Sequence, residues 1–393
     1  MLDAVPCVYI QRSTALKIRD IIAFPLRAQL QQPFSYSQKW FTHRTALLVK
    51  VVTDEDVVGW GEVFCHDAWA AAAGMLEQTF KPLLVGQNPL DIEVIWERLY
   101  NWTKDYGQKG VSTAALSGVD IALWDIFGKV TGLPIYQLLG GRFRRSLQPY
   151  ATGMYVTECA DPATALAEEA SRYAAQGFRA MKMKVGFGIQ EDICYVRSVR
   201  NAIGEDIQLM VDANHAYDAA SAIRLGRQLE AYNIAWFEEP VSPEDIAGYC
   251  RVRRSLDIPI AGGEAEFTRY GFRNLIVQGA VDIVQPDLCI TGGISEGRKI
   301  AALASTWQTR CLPHVWGTAI GLAAALHFLS ALPDTPPSLH PLPLLVEMDQ
   351  TEHPLRAITH LPHSMREGFI EAPDRPGLGV EVDEDALAHY AAP

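Results

Sequence analysis

Along the second half of this chain a titratable side chain recurs at a nearly constant interval. Lys184, Asp212, Glu238, Glu264, Asp287, His314 and Glu347 follow one another at gaps of 28, 26, 26, 23, 27 and 33 residues. Each closes a short apolar run, and each gap has the length of one strand, one helix and their connections. Strands are expected near residues 148–155, 180–185, 207–212, 235–239, 258–263, 282–285, 309–314 and 344–347. Helix-like segments at 162–175, 218–231 and 295–306, with apolar residues three and four apart, lie between them. Eight strands alternating with helices predict an α/β fold of the TIM-barrel type, whose active sites form where strands end. An open doubly wound sheet is the alternative.

Ahead of that region, residues 17–145 read as an α+β unit. Alternating strands run from Lys17 to about Gly61, broken by the turn Thr53-Asp54-Glu55-Asp56. A helix follows, with Ser112 as its expected N-cap and Gly132 and Pro134 as its stop. The expected division is a tail at 1–16, a first domain at 17–145, a barrel at 146–355 and a closing segment at 356–393.

Charge and cysteine usage narrow the function classes. The 34 basic and 46 acidic residues sum to −12, with no basic run to attract a phosphate backbone or an anionic membrane, so no nucleic acid and no membrane is expected as partner. Seven cysteines without a C-x-x-C pair predict buried free thiols and a cytoplasmic location. No secretion signal is read in the first sixteen residues. The uncharged stretch 311–333 contains Pro313, His314, Gly317, Gly321 and His327, and is read as a buried strand and helix rather than a membrane span. A homo-oligomer is expected from base rates for soluble enzymes.

Three successive strand ends carry carboxylates: Asp212, Glu238 and Glu264. Converging carboxylates repel unless a cation joins them, and three hard oxygen donors suit Mg²⁺, with places left for water and substrate. In the pair Glu238-Glu239 the equal spacing favours Glu238. Strand 180–185 alternates Met181, Met183 and Val185 with Lys182 and Lys184, so both ammonium groups are expected inside the barrel. Two neighbouring desolvated cations lower each other's pKa, which makes Lys184 a candidate general base. His314 and Asp287 end adjacent strands, so the carboxylate could orient the imidazole as a second base. The dinucleotide fingerprint fails, because Glu191 occupies the place of the third glycine after Gly186-Phe187-Gly188, and no P-loop, Gly-x-Ser-x-Gly or His-Glu-x-x-His occurs.

Together, Lys182-Met183-Lys184, the trio Asp212, Glu238 and Glu264, and the pair Asp287 and His314 resemble the mandelate racemase subgroup of the enolase superfamily. The resemblance runs from about Lys17 to the C-terminus. It implies a (β/α)₇β barrel, an N-terminal α+β capping domain completed by the C-terminal segment through Pro376-Gly377-Leu378-Gly379, and Mg²⁺-assisted removal of the proton α to a carboxylate. It further implies Lys184 and His314 as opposed bases, Asp287 orienting His314, Lys182 tuning Lys184, Glu347 bonding the enolate oxygen, and Asn214 touching substrate. The stretches Asp105-Tyr106-Gly107-Gln108-Lys109-Gly110, Pro286-Asp287-Leu288-Cys289 and Pro313-His314-Val315-Trp316-Gly317 are similar to the acid-sugar branch, galactarolactone cycloisomerases and sugar-acid dehydratases among them.

Specificity is then expected from capping loops at 32–40 and 64–69, which offer Ser35, Tyr36, Ser37, Gln38 and Lys39, and His66 and Asp67. Tyr36 and His66 are the candidate substrate contacts, and such polar loops suit a polyhydroxylated acid. The expected reaction is α-proton abstraction from a sugar acid or its lactone, followed by β-elimination as lactone cycloisomerisation or dehydration. Racemisation or epimerisation of a 2-hydroxy acid is the alternative, and a non-catalytic sugar-acid-binding barrel is a third.

Overall fold

The computed structural model describes residues 16–361 and 365–392; the expected tail therefore lies, apart from Leu16, outside the described residues. Three antiparallel strands open the chain: β1 (Ile18–Tyr36), β2 (Lys39–Thr53) and β3 (Val58–Val63), in the order β3-β2-β1. The turn expected at 53–56 joins β2 to β3, with Thr53 N and Val57 O hydrogen-bonded at 3.0 Å.

Helices α1 (Ile92–Gly107) and α2 (Val111–Thr131) follow. The helix α2 is apolar nearly all round and buried nearly all along, lying against β3 on one side. A Cβ on Gly61 would stand 1.9 Å from the Gly118 carbonyl oxygen, so this contact requires glycine. The N-cap of α2 is Gly110, at φ 78°, and not the expected Ser112, which lies buried inside the first turn. Glycine adopts that entry angle without the strain another residue would carry.

Eight parallel strands form the second unit: β4 (Ser146–Thr152), β5 (Ala180–Lys184), β6 (Gln208–Asp212), β7 (Ile234–Glu238), β8 (Ile260–Gly262), β9 (Ile283–Val284), β10 (Arg310–Cys311) and β11 (Leu345–Asp349). They run β10-β9-β8-β7-β6-β5-β4-β11. Between them lie α3 (Pro162–Ala175), α4 (Ile189–Ile203), α5 (Ala219–Leu229), α6 (Ile246–Ser255), α7 (Thr268–Val277), α8 (Gly293–Thr306) and α9 (Ala319–Ser330). The architecture is the expected (β/α)₇β barrel, and the doubly wound alternative is excluded. Where β10 meets β11, side chains span the seam: Arg310 Nη2 donates to Pro343 O at 2.7 Å and Glu347 Oε2 accepts from Val315 N at 2.9 Å.

The apolar stretch 311–333 is the end of β10, a loop and α9, every residue of which is buried except the half-buried Leu322. The chain's end touches the first unit: Leu378 N donates to Asp125 Oδ1 at 2.9 Å, and Ala391 bridges to Leu26. Among the described cysteines all are free, but only Cys289 and Cys311 are buried; Cys159 is exposed, against the expectation of buried thiols. Cys159 lies just before α3, in a loop that the strand-and-helix reading did not resolve.

Candidate active site

Strand alternation places Lys182 and Lys184 inside the barrel, both buried. Lys182 Nζ bonds Glu238 Oε1 and lies 2.9 Å from Glu347 Oε1 and 3.8 Å from Asp212 Oδ2. Lys184 Nζ lies 2.5 Å from Asp212 Oδ2, with the Tyr155 ring beside it at 5.1 Å. These contacts correct the expected direction of the lysine pKa. Burial, the largest single influence, acts to lower the Lys184 ammonium, and Lys182 adds to it, but Asp212, Tyr155 and Glu264 acting together hold it above its ordinary value. Neighbours along one strand were legible; the anions arriving from other strands were not.

Asp212, Glu238 and Glu264 each bring one oxygen to within 4.8 Å of the others. Asp212 Oδ1 accepts from Asn214 N at 2.9 Å, and Glu238 Oε2 accepts from Trp236 Nε1 at 2.9 Å and Gln285 Nε2 at 2.7 Å. Glu264 Oε2 is buried without any hydrogen-bond partner. An unpaired oxygen beside two more carboxylates fits a divalent cation with hard oxygen ligands. Burial, with neighbouring anions, pushes Glu238 up to about 7 despite Lys182. Glu239 turns away to His215 Nδ1 at 3.0 Å, at φ 42°, so only the first glutamate of the pair joins the cluster.

On the other side of the ring, His314 Nδ1 is 2.7 Å from Asp287 Oδ2, and Asp287 Oδ1 accepts from Cys289 N at 2.7 Å. His314 Nε2 faces Glu264 Oε2 at 3.6 Å. Burial opposes the imidazolium, yet Glu264, Glu347 and Asp287 raise His314 to about 10. Strands β5 and β10 are separated by four strands in one direction and two in the other, which sets Lys184 and His314 across the mouth from each other. Glu347 accepts from Thr152 Oγ1 at 2.5 Å, and Lys182 beside it holds its carboxyl down at about 2 against the effect of burial.

Lys184, His314, Glu264 and Asn214 border one cavity of about 340 Å³. Asn214 has a buried Oδ1 without a partner. The capping residues Tyr36 and His66 also border it, as expected. The other polar residues of that region do not. Ser37 Oγ donates to Ala213 O at 2.9 Å and Gln38 Nε2 to Asn214 O at 2.7 Å, docking the β1–β2 turn onto the barrel; Lys39 and Asp67 pair at 3.0 Å on the outside. Aromatic rings take the place expected for polar groups. Phe41, Phe64, Tyr155 and Trp316, which sequence reasoning did not single out, line the cavity. Their spacing in sequence carries no common period, so only the assembled structure brings them together.

Residues 18–140 match the family model for the mandelate racemase / muconate lactonizing enzyme N-terminal domain, and residues 165–386 match that for the enolase C-terminal domain-like fold. The D-galactarolactone cycloisomerase of Agrobacterium fabrum is 44% identical over 96% of this chain and 100% of its own length. The arabinonate dehydratase of Saccharolobus solfataricus is 36% identical over 87% of this chain and 89% of its own. Among solved structures, the 3,6-anhydro-D-galactonate cycloisomerase from Zobellia galactanivorans superimposes with a TM-score of 0.87 at 42% identity, covering 96% of this chain and 100% of that one.

Proposed function

Because the chain belongs to the mandelate racemase and muconate lactonizing enzyme family of the enolase superfamily, we propose that it removes the proton α to the carboxylate of a sugar acid or its lactone and then eliminates the β oxygen. The observation that carries this reading is the placement of Lys184 and His314 on opposite sides of the Asp212, Glu238 and Glu264 cluster. Asp212, Glu238 and Glu264 would hold Mg²⁺. That ion supplies positive charge for the substrate carboxylate and for the enediolate that forms when the proton leaves.

This chain's own groups do the rest. Lys182, bonded to Glu238 and Glu347, presents a fixed cation to the carboxylate end and tunes Lys184. The carboxylates that hold Lys184 and His314 protonated include Asp212 and Glu264, and with those engaged as ligands the hold would weaken. The base so freed, Lys184 or His314 according to the configuration of the substrate, takes the α proton as the C–H electrons move into the enediolate. Those electrons return to form the carbon–carbon double bond while the β C–O bond breaks. The departing oxygen leaves as a lactone's new carboxylate, or takes a proton from the opposite group and leaves as water. Asp287 keeps His314 Nδ1 occupied, so Nε2 is the atom that exchanges a proton at the cavity. Asn214 contacts substrate oxygens, with Tyr36 and His66 at the capping side, while Glu347, held ionised by Lys182 and not on the wall of this cavity, can only accept and does not bond an enolate oxygen in this state. Two opposed bases also permit racemisation or epimerisation at the α carbon, which is the second reading.

Proton NMR in D₂O with Mg²⁺, over sugar acids, their lactones and 2-hydroxy acids, tests this. Loss of an α-proton signal with appearance of a keto-deoxy acid is the expected result, whereas a deuterated epimer alone would select the second reading. A protein that binds Mg²⁺ but exchanges no α proton in any of these acids would sink both.

A further inference from the structure

The two proposed bases are anchored differently. Lys184 is the last residue of the five-residue strand β5 and pairs in register with Asp212 on β6, so a regular ladder holds it. Strands β9 and β10 are only two residues long, and Asp287 and His314 both stand beyond their last ladder pair, Val284 with Cys311. The barrel's own sheet ends short of both. The bond between Asp287 and His314 is therefore only as well placed as the loop that carries Asp287.

That loop is held from the first unit. Ile290 N and Thr291 N both donate to Asp287 O, and Cys289 N to Asp287 Oδ1, which makes 287–291 a compact turn. Cys289 O accepts from Phe64 N at 3.1 Å, Gly292 N donates to Ser117 Oγ at 2.8 Å, and Gly292 O accepts from Trp96 Nε1 at 2.7 Å. One turn into α8, Ser295 N donates to Asp120 Oδ2 at 3.0 Å and Ser295 Oγ accepts from Trp124 Nε1 at 2.9 Å. The barrel adds Thr268 N, which donates to Thr291 O at 3.1 Å. Ser117, Asp120 and Trp124 all lie on α2, and Trp96 lies on α1.

Asp120 is the unusual member of this set. It is buried, it has no ion pair among the described residues, and its Oδ1 has no hydrogen-bond partner. Burying a carboxylate in that way is destabilising, and what its other oxygen does accounts for it. The N-cap of α8 is Gly292, at φ 117°, which has no side chain to cap the first turn. Asp120 supplies that acceptor from another unit, with its charge at the positive end of the helix. Gly293 admits it, because a Cβ there would stand 2.2 Å from Asp120 Oδ2. We infer that Asp120, with Ser117, is a positioning residue for His314: it holds the start of α8, and through it residues 287–292, where Asp287 keeps His314 Nδ1 occupied. Lys184 has no such dependence, so the first unit governs proton transfer at one face of the substrate and not at the other. This rests on the reaction proposed above, in which the two bases serve opposite faces.

Proton NMR in D₂O with the Mg²⁺-loaded protein measures α-proton exchange in two acids epimeric at C2, D-galactonate and D-talonate, and His314→Asn shows which of them reports on His314. Asp120→Ala should slow exchange at the His314 face about 10²-fold, the cost of displacing a reacting group by about 1 Å, with KM unchanged and the Lys184 face within about twofold. Asp120→Asn keeps an acceptor for Ser295 N and should recover most of that loss. Should Asp120→Ala not fold, Ser117→Ala, which removes only the acceptor of Gly292 N, should show the same one-sided loss. Asp125→Ala is the control: Asp125 is as buried as Asp120 and on the same helix, but it bonds Trp60 N, Leu378 N and Lys129, away from this loop. It should leave the ratio of the two faces unchanged. Equal loss at both faces in Asp120→Ala, or a one-sided loss in Asp125→Ala as well, overturns the assignment. If the parent protein exchanges neither acid, the proposed reaction falls for these acids and the imidazole decides alone. In protein carrying isotope-labelled histidine, the Nδ1–H resonance of His314, identified by its absence from His314→Asn, should move or broaden in Asp120→Ala and not in Asp125→Ala; an unmoved resonance removes Asp120 from this role.

Discussion

At the scale of single residues, the meaning of a carboxylate here depends on what other strands bring to it. Glu238 and Glu239 are neighbours in sequence, yet one meets Lys182, Trp236 and Gln285 inside the barrel and the other meets His215 at its rim. The equal spacing of the strand ends had favoured Glu238 as the member of the pair that joins the cluster. The state of Lys184 was not legible, because Asp212 reaches it from β6. Two outcomes follow for individual side chains. Glu264→Gln removes a charge from the cluster and should weaken Mg²⁺ binding at least roughly tenfold by calorimetry, with the fold unaltered by circular dichroism. His314→Asn should leave Mg²⁺ affinity intact and slow turnover by about 10²–10⁴-fold, the usual worth of one acid–base group. Deuterium exchange should then survive only at the face served by Lys184; full activity in His314→Asn would remove that residue from the mechanism.

Elements come next, and the loop between β10 and α9 shows how one is fixed from outside itself. Within residues 312–318 Val315 N donates to Glu347, Trp316 is gripped by Arg44, and Thr318 donates from both N and Oγ1 to Glu62. Glu62 also accepts from Gly321 N at 2.9 Å, so a buried carboxylate of β3 caps the first turn of α9. Burial raises its pKa, the three donors working against that. Removing it in Glu62→Ala orphans those buried donors and should cost about 3 kcal/mol or more in urea unfolding. At the other end of the same helix, His327 Nδ1 accepts from Tyr136 N at 3.3 Å and its Nε2 faces Leu378 O at 3.1 Å, which requires a neutral ring. Burial lowers its pKa from 6.5 to about 4. The unfolded chain therefore binds the extra proton between those values. Stability from this site is present above pH 6.5 and is lost as the pH falls toward 4, up to roughly 3 kcal/mol. Unfolding free energies measured across that range should fall less steeply in His327→Gln than in the parent; equal slopes would dismiss His327 as the origin.

For the whole molecule, the two units meet through the groups that shape the cavity. The β1–β2 turn docks on Ala213 and Asn214, Arg44 crosses to Asp349, and Glu62 crosses to α9. A ligand at the mouth consequently stabilises both units at once. With Mg²⁺ at 100 times its Kd the gain is about 2.7 kcal/mol for a site absent from the unfolded chain. That should appear as one cooperative melting transition moving up by a few degrees, and the shift should vanish in Asp212→Asn with Glu264→Gln. Two separate transitions, only one of them responding to Mg²⁺, would contradict this coupling of the units.

The amino-acid sequence alone determined the order of strands and helices, the positions at which strands end, and the chemical type of the group at each end. Those properties are local: apolar periodicity, turn residues and strand alternation act over a few residues, and repetition at about 26 residues projects them onto one rim. Only the tertiary structure decided which charges meet, and with them the direction of each pKa, because a Coulomb interaction depends on distance through space and on burial. The cavity wall was decided in the same way. Phe41, Phe64, Tyr155 and Trp316 come from four separate places in the chain and share no period, while of the polar residues the first capping loop offers, Ser37 and Gln38 are consumed in holding the two units together and Lys39 in an exposed pair with Asp67. A polar side chain beside a site binds substrate only if the fold has not already given it a partner.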